Sequence, residues 1–238
     1  HRALLPFPTR RSSAPLAGKP VVFPVMEAAQ AAGIGPVIVA SAAQEICDVV
    51  INAGGQACLT PPELPSGSDR AWHAAQLVDP AGNHDLIINL QGDLPTFAPE
   101  HLHTLARVMD NPAYDIGTLV APITSDEEKT AFSVVKVACN FRENATSALA
   151  LYFSRNVIPW GEGVFWHHVG VYGWRREALK HFISLPESGL EKREKLEQLR
   201  ALEAGLCIGC GHISHAPFGV DTPEDLERAR KELGNGIA

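Results

Sequence analysis

"DLIINLQGD", residues 85–93, is the stretch whose reading decides the fold. Leu86, Ile87, Ile88 and Leu90 form a nearly continuous apolar run, as in a strand buried on both faces of a parallel sheet. A strand with one wet face would alternate instead. Gln91, Gly92 and Asp93 then put an amide, a flexible joint and a carboxylate where that strand should end. "GPVIVASAA", residues 35–43, reads in the same way. Helical patterns flank both: residues 42–55 end in a Gly-Gly stop, and residues 98–111 end before Pro112. Residues 116–123, 133–140 and 167–174 read as further strands. Residues 189–205, "GLEKREKLEQLRALEAG", predict one long charged helix, and residues 222–234 a last helix with Thr222 as its cap. This alternation predicts a doubly wound α/β fold, a mixed and mostly parallel sheet with helices on both faces. With no internal repeat and no linker, residues 1–238 are expected to form a single domain.

Such sheets bind ligands in the crevice beyond the carboxyl ends of their strands, which places Asp93 at a site. The first loop, "PTRRSSAPLAGKP" at residues 8–20, should lie there too. Its cations, serines and glycine suit a phosphate cradle, although the Walker spacing is absent. A second carboxylate, Asp221, stands between a strand end and the cap of the last helix. It has two readings, an acidic residue that stabilises the cap or a partner of Asp93 in holding one hard divalent cation. The residues alone do not choose between them.

Bulk properties narrow the class. A net charge of −7 argues against non-specific nucleic-acid binding. No apolar run reaches the roughly 20 residues of a membrane span, so no membrane insertion is expected. Residues 1–10 lack the apolar core and cleavage site of a signal peptide, and a chain opening on His1 is expected to lack its natural start. A soluble intracellular enzyme is the expected class. Cys47, Cys58 and Cys139 stand singly among apolar residues, like small core side chains. Cys207 and Cys210 form a C-x-x-C followed by His212 and His215. An alternating strand is the preferred reading there, because four ligands within nine residues of strand would point to opposite faces.

"AGKP", "SGSDR", "NLQGDLP", "VVKV", "LYFSR", "HHVGVYGW", "LEQLRALEAG" and "GVDTPEDLERAR" follow one another along the chain. In that order they resemble the 3-deoxy-manno-octulosonate cytidylyltransferase family, the CMP-Kdo synthetases. The resemblance spans nearly the whole chain and is densest from residue 149 onward. It implies a nucleotide-diphospho-sugar transferase-like fold. It also implies transfer of CMP from CTP to the anomeric hydroxyl of the sugar acid Kdo, with release of pyrophosphate. In the family this is a magnesium-dependent, cytoplasmic step of lipopolysaccharide synthesis, carried out by homodimers.

The resemblance assigns Asp93 and Asp221 to the metal. Arg10, Ser13 and Lys19 fall in the phosphate loop, with Arg10 and Lys19 stabilising the leaving pyrophosphate. Ser66, Gly67 and Arg70 fall at the nucleotide. Gln91, Arg155, His168, Tyr172, Glu197 and Gln198 match the sugar-acid side, with Arg155 able to meet the carboxylate as a bidentate fork. His168 and Tyr172 have the spacing of one face of a strand.

Four departures lie on the nucleotide side. Pro15 stands where a phosphate-contacting arginine is expected, and the chain is several residues short after Val21. Ala42 takes an acidic position, and "PPELP" before "SGSDR" lacks the usual histidine or glutamine. Two other readings stay open: a cytidylyltransferase for a related sugar acid, such as amino-Kdo or a nonulosonic acid, and a catalytically weak binding paralogue.

Overall fold

The computed structural model describes residues 3–9, 15–16 and 19–220, with side chains from Pro20 onward. In chain order the elements are β1 (Ala3–Thr9), β2 (Pro15–Leu16), β3 (Lys19–Pro20), α1 (Val22–Ala32), β4 (Val37–Ser41), α2 (Gln44–Asn52), β5 (Gln56–Leu59), α3 (Gly67–Val78), β6 (Leu86–Asn89) and α4 (Pro99–Val108). There follow β7 (Ile116–Pro122), α5 (Asp126–Thr130), β8 (Lys136–Ala138), β9 (Ser147–Leu149), β10 (Tyr152–Ser154), β11 (Trp166–Arg175), α6 (Arg176–Ser184), α7 (Gly189–Glu194), α8 (Gln198–Glu203) and β12 (Ile208–His212). The last predicted helix, residues 222–234, lies outside the described residues. The chain forms two compact units, one of residues up to Leu102 with those from Pro217 onward, the other His103–Ala216.

The first unit carries parallel strands in the order β5-β4-β1-β6. Every residue of β4 and β6 is buried, as their continuous apolar runs require. β2 and β3 pair antiparallel, and the chain then enters α1 directly at Val22. Pro24 is tolerated there because the first turn has no intrahelical N–H bond to lose.

In the second unit the order is β11-β7-β12-β9, with β8 on β11 and β10 on β8. Here β12 runs parallel to β7, while β11, β8, β10 and β9 all pair antiparallel. The sheet is therefore mixed, with its antiparallel pairs concentrated in this unit.

Two expectations need correction. The single charged helix over residues 189–205 is broken into α7 and α8 at Lys195, whose φ of 57° and ψ of 47° are left-handed. The break lets Arg200 return to Glu191, donating to its carboxylate at 2.8 and 2.5 Å. On a straight helix these residues would be about 13 Å apart along the axis. Burial costs Glu191 some acidity, but Arg200 and the Ser188 N–H outweigh it and keep the carboxyl below its usual range. The second correction concerns β12, which does not alternate. Ile208, Gly209, Cys210 and Gly211 are all buried between β7 and β9. A side chain at Gly209 would occupy the space of the Tyr114 ring, so the strand needs glycine there. Cys207 is exposed, and the Cys210 thiol is held well above its usual pKa by its bond with Cys139 and by burial. Cys47 is buried as expected, whereas Cys58 and Cys139 are half-buried.

Candidate active site

Because the strands of the first unit are parallel, their carboxyl ends share an edge. Thr9 pairs with Ser41 and Ser41 with Leu59, and Thr60 N extends the ladder by donating to Ser41 O at 2.8 Å. The Gln91-Gly92-Asp93 turn leaves β6 at that same end of its strand. There the Asp93 carbonyl accepts from Val220 N at 2.9 Å, and Phe218 N donates to Thr96 Oγ1 at 3.2 Å. Two stretches far apart in sequence are thus joined beside Asp93. Val220 immediately precedes Asp221, which lies outside the described residues, as do Arg10 and Ser13. Lys19 is described by its backbone alone, paired with Leu16 in the β2–β3 ribbon. Gln91 is half-buried and donates to Asn89 Oδ1 at 3.4 Å.

Ser66 caps α3, accepting from Ser68 N at 3.1 Å and Asp69 N at 3.2 Å while donating to Asp69 Oδ2 at 2.7 Å. Gly67 opens the helix. Arg70, expected at the nucleotide, is 2% exposed. Its Nη1 donates to Thr60 Oγ1 and, at 3.2 Å, to Pro61 O, tying α3 to the end of β5.

The sugar-side residues fall in the second unit. β11 pairs with β7 through His168↔Val120 and Tyr172↔Thr118, with a bulge between Val169 and Tyr172. On a regular strand four residues would separate the two side chains by about 13 Å. The bulge places them opposite neighbouring same-face positions of β7, and their ring centroids are 5.5 Å apart. His168 is buried against the edge of Phe153 at 5.1 Å. Burial, and then neighbouring His167, hold its pKa down at about 3, so the ring is neutral across the physiological range. Burial, and then the Glu197 carboxylate, push the Tyr172 hydroxyl well above its usual range. Glu197 and Gln198 sit at the start of α8; Gln198 is 3% exposed, and its Nε2 has no hydrogen-bond partner among the described residues.

Arg155 is anchored at several points. Its Nε donates to Glu194 O at 3.1 Å, its Nη1 to Phe132 O at 3.0 Å and its backbone N to Glu194 Oε2 at 3.2 Å. Glu194 also accepts from Ser154 Oγ at 2.9 Å. Beneath lies Lys136, fully buried, donating to Ala131 O, Val134 O and Arg155 O at 2.8, 2.7 and 2.8 Å.

The cytidylyltransferase family model matches residues 13–208. A 3-deoxy-manno-octulosonate cytidylyltransferase of Parvibaculum lavamentivorans is 53% identical over 94% of this chain and 88% of its own. That of Rhodospirillum centenum is 50% identical over 91% and 84%. The chain belongs to the 3-deoxy-manno-octulosonate cytidylyltransferase family. A solved CMP:2-keto-3-deoxy-manno-octonic acid synthetase complexed with CTP, 34% identical, covers all of both chains with a TM-score of 0.91. A 4-diphosphocytidyl-2C-methyl-D-erythritol synthase from Anaerococcus prevotii, only 9% identical, shares the fold with a TM-score of 0.69 over 98% of each chain. The fold is thus the nucleotide-diphospho-sugar transferase-like one.

In this cytidylyltransferase Thr118, Glu194 and Lys136 bond to these side chains and their neighbours without a motif that assigns them a role. A buried lysine inside the apolar "VVKV" is a legible signal, because such a charge needs partners. Thr118 carries no such signal.

Proposed function

We propose that the protein transfers CMP from CTP to the anomeric hydroxyl of Kdo, releasing pyrophosphate, in the cytoplasm and in service of lipopolysaccharide synthesis. The observation that carries the reading is the Val220–Asp93 bond. It ties Val220, the residue before Asp221 in sequence, to the turn that bears Asp93 at the carboxyl end of β6. Hard carboxylate oxygens of the kind that Asp93 and Asp221 carry suit magnesium. When bound, the ion would neutralise phosphate charge and make a nearby hydroxyl more acidic.

The chain's own residues position and balance charge. Lys19 and Arg10 would meet the departing pyrophosphate, with Ser13, Ser66, Gly67, Arg70 and Gln91 on the nucleotide side. Arg155 would hold the Kdo carboxylate. Its side-on fork is closed because Nε already serves Glu194 O, so the contact is made through the terminal nitrogens. His168, Tyr172, Glu197 and Gln198 complete the sugar side, to which the family resemblance also assigns Gln91.

The test is pyrophosphate release by the purified protein with CTP, Kdo and magnesium, each omitted in turn. Release that requires all three is the expected result. Pro15 and Ala42 favour one rival, a weakened paralogue. It would bind Kdo by calorimetry without releasing pyrophosphate, and that outcome would replace the proposal.

We also propose a homodimer. Phe132, Leu149, Leu151, Val157, Trp160 and Val164 are exposed apolar residues of the second unit, and Trp160 is 100% exposed. These side chains are the candidates for the seam of the dimer that the family resemblance implies. Light scattering is expected to give the mass of two chains, and the mass of one would refute the dimer.

A further inference from the structure

Four oxygen and nitrogen atoms meet inside the second unit, where β7 faces the bulge of β11. Thr118 Oγ1 lies 2.8 Å from Val171 O, 3.2 Å from Val169 O and 3.0 Å from His168 Nε2. A hydroxyl has one hydrogen. Were it directed at His168, two carbonyl oxygens would face the lone pairs of Oγ1 with no hydrogen between them. The hydrogen therefore goes to a bulge carbonyl, with Val171 O the closer. His168 must in turn carry its own hydrogen on Nε2 and donate it to Oγ1. The ring is neutral, so Nδ1 is left as a bare acceptor, and it has no protein partner among the described residues.

The same hydroxyl thus does two things. It anchors the bulge by donating to Val171 O at 2.8 Å, between His168 and Tyr172, whose ring centroids are 5.5 Å apart. It also chooses the tautomer of His168. We propose that Thr118 is a positioning residue of the sugar-acid site, fixing the bulge and holding His168 as the Nε2–H tautomer so that Nδ1 accepts a hydrogen bond from a substrate hydroxyl. A bare nitrogen cannot donate to the substrate carboxylate, so His168 reads the hydroxyl groups of the sugar and leaves the acid group to Arg155. This rests on the reading that His168 and Tyr172 line the sugar site.

The experiment compares Thr118→Val, which keeps shape and loses the hydroxyl, with Thr118→Ser, which keeps the hydroxyl. Two readouts are used: the nitrogen NMR spectrum of the His168 ring, and KM for Kdo against KM for CTP. The wild type is expected to show Nε2 protonated and Nδ1 bare from pH 5 to 8. Thr118→Val should mix the tautomers and raise KM for Kdo about tenfold, with KM for CTP unchanged, while Thr118→Ser keeps both wild-type properties. A wild-type ring protonated on Nδ1 overturns the proposal, and so does an unchanged KM for Kdo in Thr118→Val. His168→Ala locates the failure. If it too leaves KM for Kdo unchanged, the sugar-site reading is wrong; if it raises KM, only the role of Thr118 is wrong.

Discussion

Replacing Asp93 with Asn is expected to slow pyrophosphate release about a thousandfold, with little change in the fold. On the proposed metal site, the magnitude follows from losing one of the two carboxylates that would hold the cation against the reacting phosphate, about 4 kcal/mol of transition-state stabilisation. Asn keeps the size of the side chain, and the 2.9 Å bond from Val220 N goes to the backbone carbonyl, which the substitution leaves in place. Kdo binding, measured by calorimetry, should therefore persist, whereas the magnesium concentration needed for half-maximal rate should rise. Both measurements matter, because a variant that lost Kdo binding too would report general damage. Wild-type turnover with unaltered magnesium dependence would remove Asp93 from the metal site.

The buried strands were legible because a continuous apolar run has few other uses in a chain of this length. The place of Asp93 in the turn after β6 was legible for a related reason, because the apolar run stops at Leu90 and polar residues follow. What the sequence hid was mostly long-range. The break at Lys195 depends on Arg200 reaching Glu191, and a charged helical pattern looks the same whether it bends or not. The face shared by His168 and Tyr172 was read from even spacing, but that spacing says nothing of the bulge that draws them together. Thr118 lies 50 residues from His168 and has no local pattern to mark it.

Lys136→Met is expected to destabilise the protein by about 3–5 kcal/mol, the range for breaking a buried charged network. Methionine matches the length of lysine, so packing is nearly conserved and the cost falls on the hydrogen bonds. Three carbonyl oxygens would lose the fully buried lysine as a donor: Ala131 O keeps Val134 N at 3.2 Å, whereas Val134 O and Arg155 O lose the side-chain donor that holds them. Each acceptor left without a partner costs about 1–3 kcal/mol, and partial relaxation keeps the sum below two full penalties. Burial, and then Arg155 nearby, hold the Lys136 pKa below the usual lysine range, so the site already bears a desolvation cost that only these bonds offset. Urea unfolding should show a lower midpoint with an unchanged slope. A functional effect follows from the same geometry. Lys136 ties the Ala131–Val134 turn to the backbone of Arg155, and the Arg155 guanidinium leans on Phe132 O within that turn. Folded variant protein should accordingly need about tenfold more Kdo at half-saturation, with its CTP requirement unchanged. A wild-type unfolding midpoint would mean that Val134 O and Arg155 O find other donors, and Lys136 would then lose its place as the anchor beneath Arg155.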